Sequence, residues 1–286
     1  MTRGYSCVNR ISGERLTRWL VSGPPFFFLL LFFVLPSVIM VVASFRHPGE
    51  FGGLAPLFAT EPGEEAGLTL ENYRIFFGDW IYFQIFLKSF VIAALTTLLC
   101  LVIAYPLALL IARSPRKYRD LMVLLVVLPF ASNFLVRVYA WMIILGPFEL
   151  LFTRTAVIVG MVYVHLPFMV LPLYTNLEKH DPALLDAAQD LGANAWHRFW
   201  KVTFPLSLPG VFAGSALVFI PVLGMFAIPE ILGGIGDWMV GNMIKEAFLG
   251  VRDWPFGSML SLMLTVCVLA VAGLAAWFAG RKLRHA

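Results

Sequence analysis

Apolar residues along this chain fall in long unbroken runs rather than in alternation with polar ones. Runs of about 20 residues cross a hydrocarbon layer about 30 Å thick as helices, whereas period-two alternation would mark strands. Such runs lie near 24–45, 84–112, 121–145, 156–176, 208–229 and 257–279. Inside them the only Lys or Arg residues are Lys88, near one end of the second, and Arg137 in the third. The pattern predicts an all-α polytopic membrane protein with six transmembrane helices. Arg3, Arg10, Arg15 and Arg18 precede the first run and give it the look of a secretion signal. A cleavable apolar core has roughly 7–15 residues, so this longer run reads as a retained first span. The chain then divides into a basic tail (1–23), a first span (24–45), an outer loop (46–83), a five-helix core (84–279) containing an inner loop (177–207), and a short inner tail (280–286).

Composition agrees with that pattern. Of 286 residues 60% are hydrophobic and 13% charged, against about 25% charged in soluble domains, and the mean hydropathy is +0.84. A single soluble domain of this length cannot hide so much apolar surface. Cys7, Cys100 and Cys267 are too scattered for a disulfide framework or a C-x-x-C metal site, and no metal or cofactor is expected.

The net charge of +4 would suggest nucleic acid in a soluble protein, but here the basic residues sort by side of the membrane. With the N-terminus inside, inner segments hold Arg3 to Arg18, then Arg113, Arg116, Lys117 and Arg119, then Lys179, Arg198 and Lys201, and finally Arg281, Lys282 and Arg284. Outer segments hold only Arg46, Arg74, Arg154, Lys245 and Arg252. Basic flanks resist translocation, so both termini are expected in the cytoplasm. Acids gather on the outer side, from Glu50 through Glu230, Asp237, Glu246 and Asp253. That negative face favours a cationic solute by steering, although depletion of outer Lys and Arg is general to membrane proteins.

The inner loop 177–207 is unlike the other connections. Asp181 before Pro182 makes an N-cap and first-turn pair, predicting a short helix to Asp190 or Leu191. Gly192 suits a helix end that requires positive φ, Asn194 can cap a second helix through Lys201, and Pro205 is expected to stop it. The small Ala187 and Ala188 would let a partner's backbone approach closely. A connector shaped by topology alone is the other reading of this segment.

Asp186-Ala187-Ala188, three residues, Gly192, nine residues, then Val202-Thr203-Phe204-Pro205 resembles the EAA loop of ABC-importer permeases, with Asp, Val and Phe in place of that motif's Glu, Ile and Leu. Val136 to Trp141, Leu166 to Pro172, Ile228 to Gly234 and Arg252 to Pro255 resemble the permease subunits of spermidine/putrescine importers, and the likeness covers nearly the whole chain. It implies a type I ABC-importer permease fold, with Asp186, Ala187, Ala188, Gly192 and Pro205 coupling the chain to a cytoplasmic ATPase. It also implies two ATPase subunits, a second, similar permease and an extracytoplasmic solute-binding protein, in the cytoplasmic (inner) membrane. The chain contains no G-x-x-x-x-G-K-[ST] of its own, so it is expected to be no enzyme.

Span five carries Pro209, Gly210, Gly214, Pro221, Gly224 and Pro229. That density predicts an interrupted helix lining the pathway, since free backbone at membrane depth belongs against protein or a water-filled cavity. For the Gly210/Gly214 pair, close helix packing alone is the more common explanation. Glu230 at the outer end of the span is the candidate contact for a substrate amine, or else a loop acid paired with a base such as Lys245. Tyr139 and Trp141 offer faces for a cation–π contact or anchor the interface. Asp253 and Trp254 are candidates for the outer vestibule, with pairing to Arg252 or Arg137 the alternative for Asp253. Arg137 reads as a structural ion-pair partner and His165 as a hydrogen-bonded core residue. Ser114 and Lys117 match S-x-x-K but lie in the orienting basic loop. The alternatives are the same machine carrying another solute, such as an amino acid derivative or an iron complex; an ion-gradient-driven transporter, which would want paired intramembrane acids; and a membrane enzyme, for which no catalytic constellation is present.

Overall fold

A computed structural model describes residues 21–58 and 67–283, with side chains as far as residue 273. Arg3, Cys7, Arg10, Arg15 and Arg18 of the basic tail, and Arg284, lie outside the described residues. The described residues contain no strand, only isolated bridges between Arg46 and Leu68 and between Pro48 and Leu54. Five helices are long and apolar enough to span a membrane, and a sixth candidate is a bent pair.

One compact unit comprises Phe76–Glu246. It opens with α3 (Trp80–Arg113), following α1 (Val21–Ser44) and the short α2 (Glu71–Gly78). Asp79 caps α3 by accepting from the Ile81 N–H at 3.0 Å. At about 1.5 Å per residue its 34 residues reach well beyond the hydrocarbon thickness. Helices α4 (Arg116–Ala131) and α5 (Phe134–Phe148) follow, then α6 (Arg154–Leu177), α7 (Ala183–Asp190), α8 (Ala195–Leu223), α9 (Ala227–Leu232) and α10 (Val240–Lys245). The core is the mutual packing of α3, α6 and α8. Ala93, Cys100, Ala104 and Ala108 of α3 are wholly buried, as are Val157, Met161, Met169 and Leu173 of α6 and Val218 and Val222 of α8. A Cβ added at Gly214 would lie 2.7 Å from Met169 Sδ and 3.2 Å from Met169 O, so the Gly210/Gly214 stripe is a close-packing face of α8.

The other unit comprises the residues up to Ile75 and from Ala247 onward. In it α11 (Trp254–Leu283) packs against α1. Asn72 Nδ2 donates to the carbonyls of Ser44 and Arg46, both at 3.1 Å, and the Arg46 guanidinium donates to Ala55 O. Together they close the chain after α1.

Two expectations from sequence are corrected. The run 121–145 is no straight span: α4 ends in a 3-10 turn at Leu128–Ala131 containing Pro129, Asn133 caps α5 through the Leu135 N–H at 2.9 Å, and the two helices meet at 90°. Pro205, Pro209 and Pro221 interrupt nothing, because α8 runs from the inner loop to Leu223. A π-turn at Phe199–Thr203 precedes Pro205. Such a turn already skips one donor–acceptor pairing, so the missing proline N–H costs little there. The break in the fifth span falls at Gly224, which closes α8 ahead of α9.

Candidate coupling loop and transport path

Local capping builds the inner loop. Asp181 Oδ1 accepts from Ala183 N–H at 3.0 Å and starts α7. At its far end Gly192 takes φ +80° and donates to Gln189 O at 2.8 Å. Asn194 Oδ1 accepts from His197 N–H at 2.9 Å and opens α8. Arg198 Nη1 donates to Gln189 Oε1 at 2.6 Å, tying the two helices across the glycine. Asp186, Ala187 and Gly192 are exposed, Ala188 is half-buried and Pro205 is exposed. Leu191 and Trp196 are 88% and 68% exposed, so the loop presents an apolar surface.

The base of the loop is fastened to the core. Trp200 packs against Phe199 and Phe204, each with ring centroids 5.1 Å away, and Phe199 packs edge-on against Tyr105 of α3 at 5.5 Å. The Tyr105 hydroxyl lies 2.8 Å from Ser207 Oγ. Arg119 Nη1 pairs with Glu178 at 3.1 Å. The Tyr174 hydroxyl, and after it the Arg119 guanidinium, hold the Glu178 carboxyl below the ordinary carboxylate range. Sequence reading missed Tyr105 and Glu178, because their partners lie 102 and 59 residues away.

At the other end of the unit Glu230 sits on α9, which packs against α5 and α6. Its Oε1 accepts from Lys245 Nζ at 2.5 Å, with 43% of the Glu230 side chain exposed. An open cavity of about 450 Å³ touches Glu230, Phe152 and Trp238. Tyr139 is 48% exposed on α5, while Trp141 stands edge-to-face with Tyr163 at 5.4 Å. The loop after α9 is pinned three ways. Lys88 Nζ donates to Gly236 O at 2.7 Å, Arg154 Nε donates to Asp237 Oδ1 at 3.3 Å, and Asp237 Oδ2 accepts from Gly234 N–H at 3.3 Å. Lys88 was visible in the sequence as a span charge, but nothing local gives its acceptor.

Other candidates resolve differently. Asp253 Oδ1 caps α11 by accepting from Phe256 N–H at 3.0 Å and makes no ion pair among the described residues; Trp254 begins that helix half exposed. Both belong to the unit that holds α1. Arg137, expected in an ion pair, has none among the described residues. It is 8% exposed, its guanidinium lies 5.4 Å from the Phe130 ring centroid, and its Nε has no hydrogen-bond partner. A cation–π contact with Phe130 stands where a carboxylate was expected. His165 Nδ1 lies 2.8 Å from Met161 O, a satisfied core position.

The described residues form a bundle of apolar helices with an exposed helix–glycine–helix loop at one end. Residues 104–284 match the family described as binding-protein-dependent transport system inner membrane component, and the chain belongs to it. It is 38% identical over 272 residues to the spermidine/putrescine transport system permease protein PotB of Escherichia coli (strain K12), covering 89% of this chain and 94% of that protein. The PotB of Haemophilus influenzae is 40% identical over 260 residues, 84% and 86% of the two chains. Among solved structures, a chain of a bacterial ABC transporter that imports the acidic polysaccharide alginate superposes with TM-score 0.69 at 16% identity, covering 95% of this chain and 99% of that one. A chain of the MetNI methionine ABC transporter gives 0.54 at 18% identity, over 71% and 94%. The fold is that of ABC-importer permeases, and the chain is a multi-pass inner-membrane permease subunit, not an enzyme.

Proposed function

We propose that this chain is one of two permease subunits of an ABC importer that carries polyamines of the spermidine/putrescine class into the cell. The observation that carries this reading is identity of 38–40% over most of the chain to two permeases named for those substrates. In this reading residues 84–279 form the transport core. An ATPase pair docks on Asp186, Ala187, Ala188 and Gly192, and Pro205 begins the segment that transmits their movement. In this reading the contacts of Tyr105 with Ser207 and Phe199 pass movement of the loop to α3 and α8. An extracytoplasmic binding protein delivers the solute at the Glu230 end, a second, similar permease completes the pathway, and both termini face the cytoplasm.

Glu230 takes the substrate amine by exchanging Lys245 for it, since a half-exposed carboxylate already paired with one ammonium fits another. Tyr139 and Trp141 on the adjacent helix supply aromatic faces, and Asp253 and Trp254 are, in this proposal, vestibule residues contributed by the other unit. The reading is tested by uptake of labelled putrescine and spermidine in cells that lack other polyamine importers and express the chain with its partner subunits. Saturable, ATP-dependent uptake, competed by polyamines but by neither amino acids nor iron complexes, is expected. Uptake unaffected by excess polyamine would overturn the substrate assignment.

A further inference from the structure

A cavity of about 520 Å³, within the range of small-ligand sites, opens where the inner ends of α3, α4 and α6 meet the start of α7 and the π-turn of α8. Its polar lining includes Arg113, Arg116, Arg119, Glu178, Asp181 and Thr203. Both acids are already occupied: Glu178 pairs with Arg119, and Asp181 caps α7. Arg113 and Arg116 form no ion pair or hydrogen bond among the described residues, and with three arginines set against two carboxylates in its lining the cavity keeps a net positive charge. Two further features mark it as a site. Thr203 is only 4% exposed, and its Oγ1 has no hydrogen-bond partner. Helix α4 opens behind Pro115 with no side-chain cap; the Tyr118 N–H donates to Pro115 O, which leaves the Arg116 and Lys117 backbone N–H groups for an anion. Leucines of α3, α7 and α8 line the remainder, so an acyl chain could lie against the same wall.

We propose that this cavity binds a phosphate group at the inner membrane surface: the headgroup of an anionic phospholipid or, by the same chemistry, free inorganic phosphate. Arg113 and Arg116 hold the phosphate oxygens, the start of α4 donates backbone N–H groups, and the Thr203 hydroxyl gains its missing partner. Basic pockets between spans on the cytoplasmic side suit such headgroups. Because the cavity is walled by α7 and the π-turn of α8, an occupant braces the coupling loop against α3 and α4. The inner placement rests on the orientation proposed above, whereas the binding measurement depends on neither orientation nor substrate.

The test uses the assembled transporter in nanodiscs of phosphatidylcholine with or without phosphatidylglycerol, followed by native mass spectrometry of retained lipid. Wild type is expected to retain phosphatidylglycerol through exchange with excess phosphatidylcholine, and Arg113→Gln with Arg116→Gln to retain it about 10-fold less or weaker still. Should the double variant fail to assemble, hydrogen exchange on the wild type decides instead, with slower exchange in 113–119 expected on adding phosphatidylglycerol. Equal slowing by millimolar inorganic phosphate, with displacement of the lipid, would assign the site to the soluble anion. Equal retention by variant and wild type, or equal exchange in the two lipids with no effect of inorganic phosphate, would overturn the proposal.

Discussion

The most informative single residues are those whose partners are now known. Glu230 accepts from Lys245, so two roles make opposite predictions. If the carboxylate receives the substrate amine, Glu230→Gln raises the KM for putrescine uptake about 10-fold or more, the scale of one charge-assisted contact. Lys245→Met then leaves KM unchanged or lower, since it frees the carboxylate. A purely structural pair would make both variants equally poor, and uptake kinetics of the two side by side decide. Glu178 offers a pH prediction. Its carboxyl is held below the ordinary glutamate value by the Tyr174 hydroxyl and then the Arg119 guanidinium, so these contacts stabilise the fold above the ordinary value and are lost as pH falls through the lower, folded-state one. Glu178→Gln should therefore lower Tm slightly near neutral pH, by the effect of an exposed pair worth about 0.2–1 kcal/mol. The deficit should vanish in strong acid. A deficit constant across pH would refute the carboxylate's contacts with Tyr174 and Arg119 as its source. Glu230 and its possible base were both legible in the sequence; Glu178 and Tyr105 were not, because side chains so far apart in sequence are brought together only by the packing of α3, α6 and α8.

Among the helices, the inner loop was legible nearly residue by residue and the bend in the third span was not, for one physical reason. Caps are local: Asp181, Gly192 and Asn194 act on backbone groups within three residues of themselves, so their types at that spacing suffice. A proline's effect is not local. Pro205 follows a π-turn that absorbs its missing donor, while Pro129 stands in a 3-10 turn whose exit Asn133 caps at a right angle. The loop's mechanical role can be tested at Gly192, where an added Cβ meets no atom within 4 Å but φ is +80°. Gly192→Ala therefore meets only the left-handed backbone penalty, about 1–2 kcal/mol, and should retain much of the uptake. Gly192→Pro cannot reach that φ and loses the hydrogen bond to Gln189 O as well. It should abolish uptake and substrate-stimulated ATP hydrolysis while the subunit still inserts and is recovered from membranes in normal amount. Wild-type uptake by the proline variant would remove the loop from the coupling path.

For the molecule as a whole, the bend in the third span turns orientation into a question of parity. Five helices qualify as spans on their own. If the α4–α5 pair crosses the membrane once despite its 90° angle, there are six crossings and both termini share one side; if it enters and returns on the same side, there are five and the termini are opposed. The basic residues argue for six, since Arg113 to Arg119 before the bend and Lys179 to Lys201 after α6 must share the inner face with Arg281 and Lys282, whereas Arg154 lies alone between those groups. A return on the same side would place one of the two strongly basic loops outside, against the rule that orients the rest. Reporter fusions settle it: green fluorescent protein joined after Ala286 should fluoresce, and alkaline phosphatase inserted between Glu149 and Thr153 should be active. The N-terminus should resist modification by an impermeant amine reagent in intact cells. An active phosphatase at Ala286 with a protected N-terminus would mean five crossings, with α4 and α5 forming a re-entrant pair on the inner side.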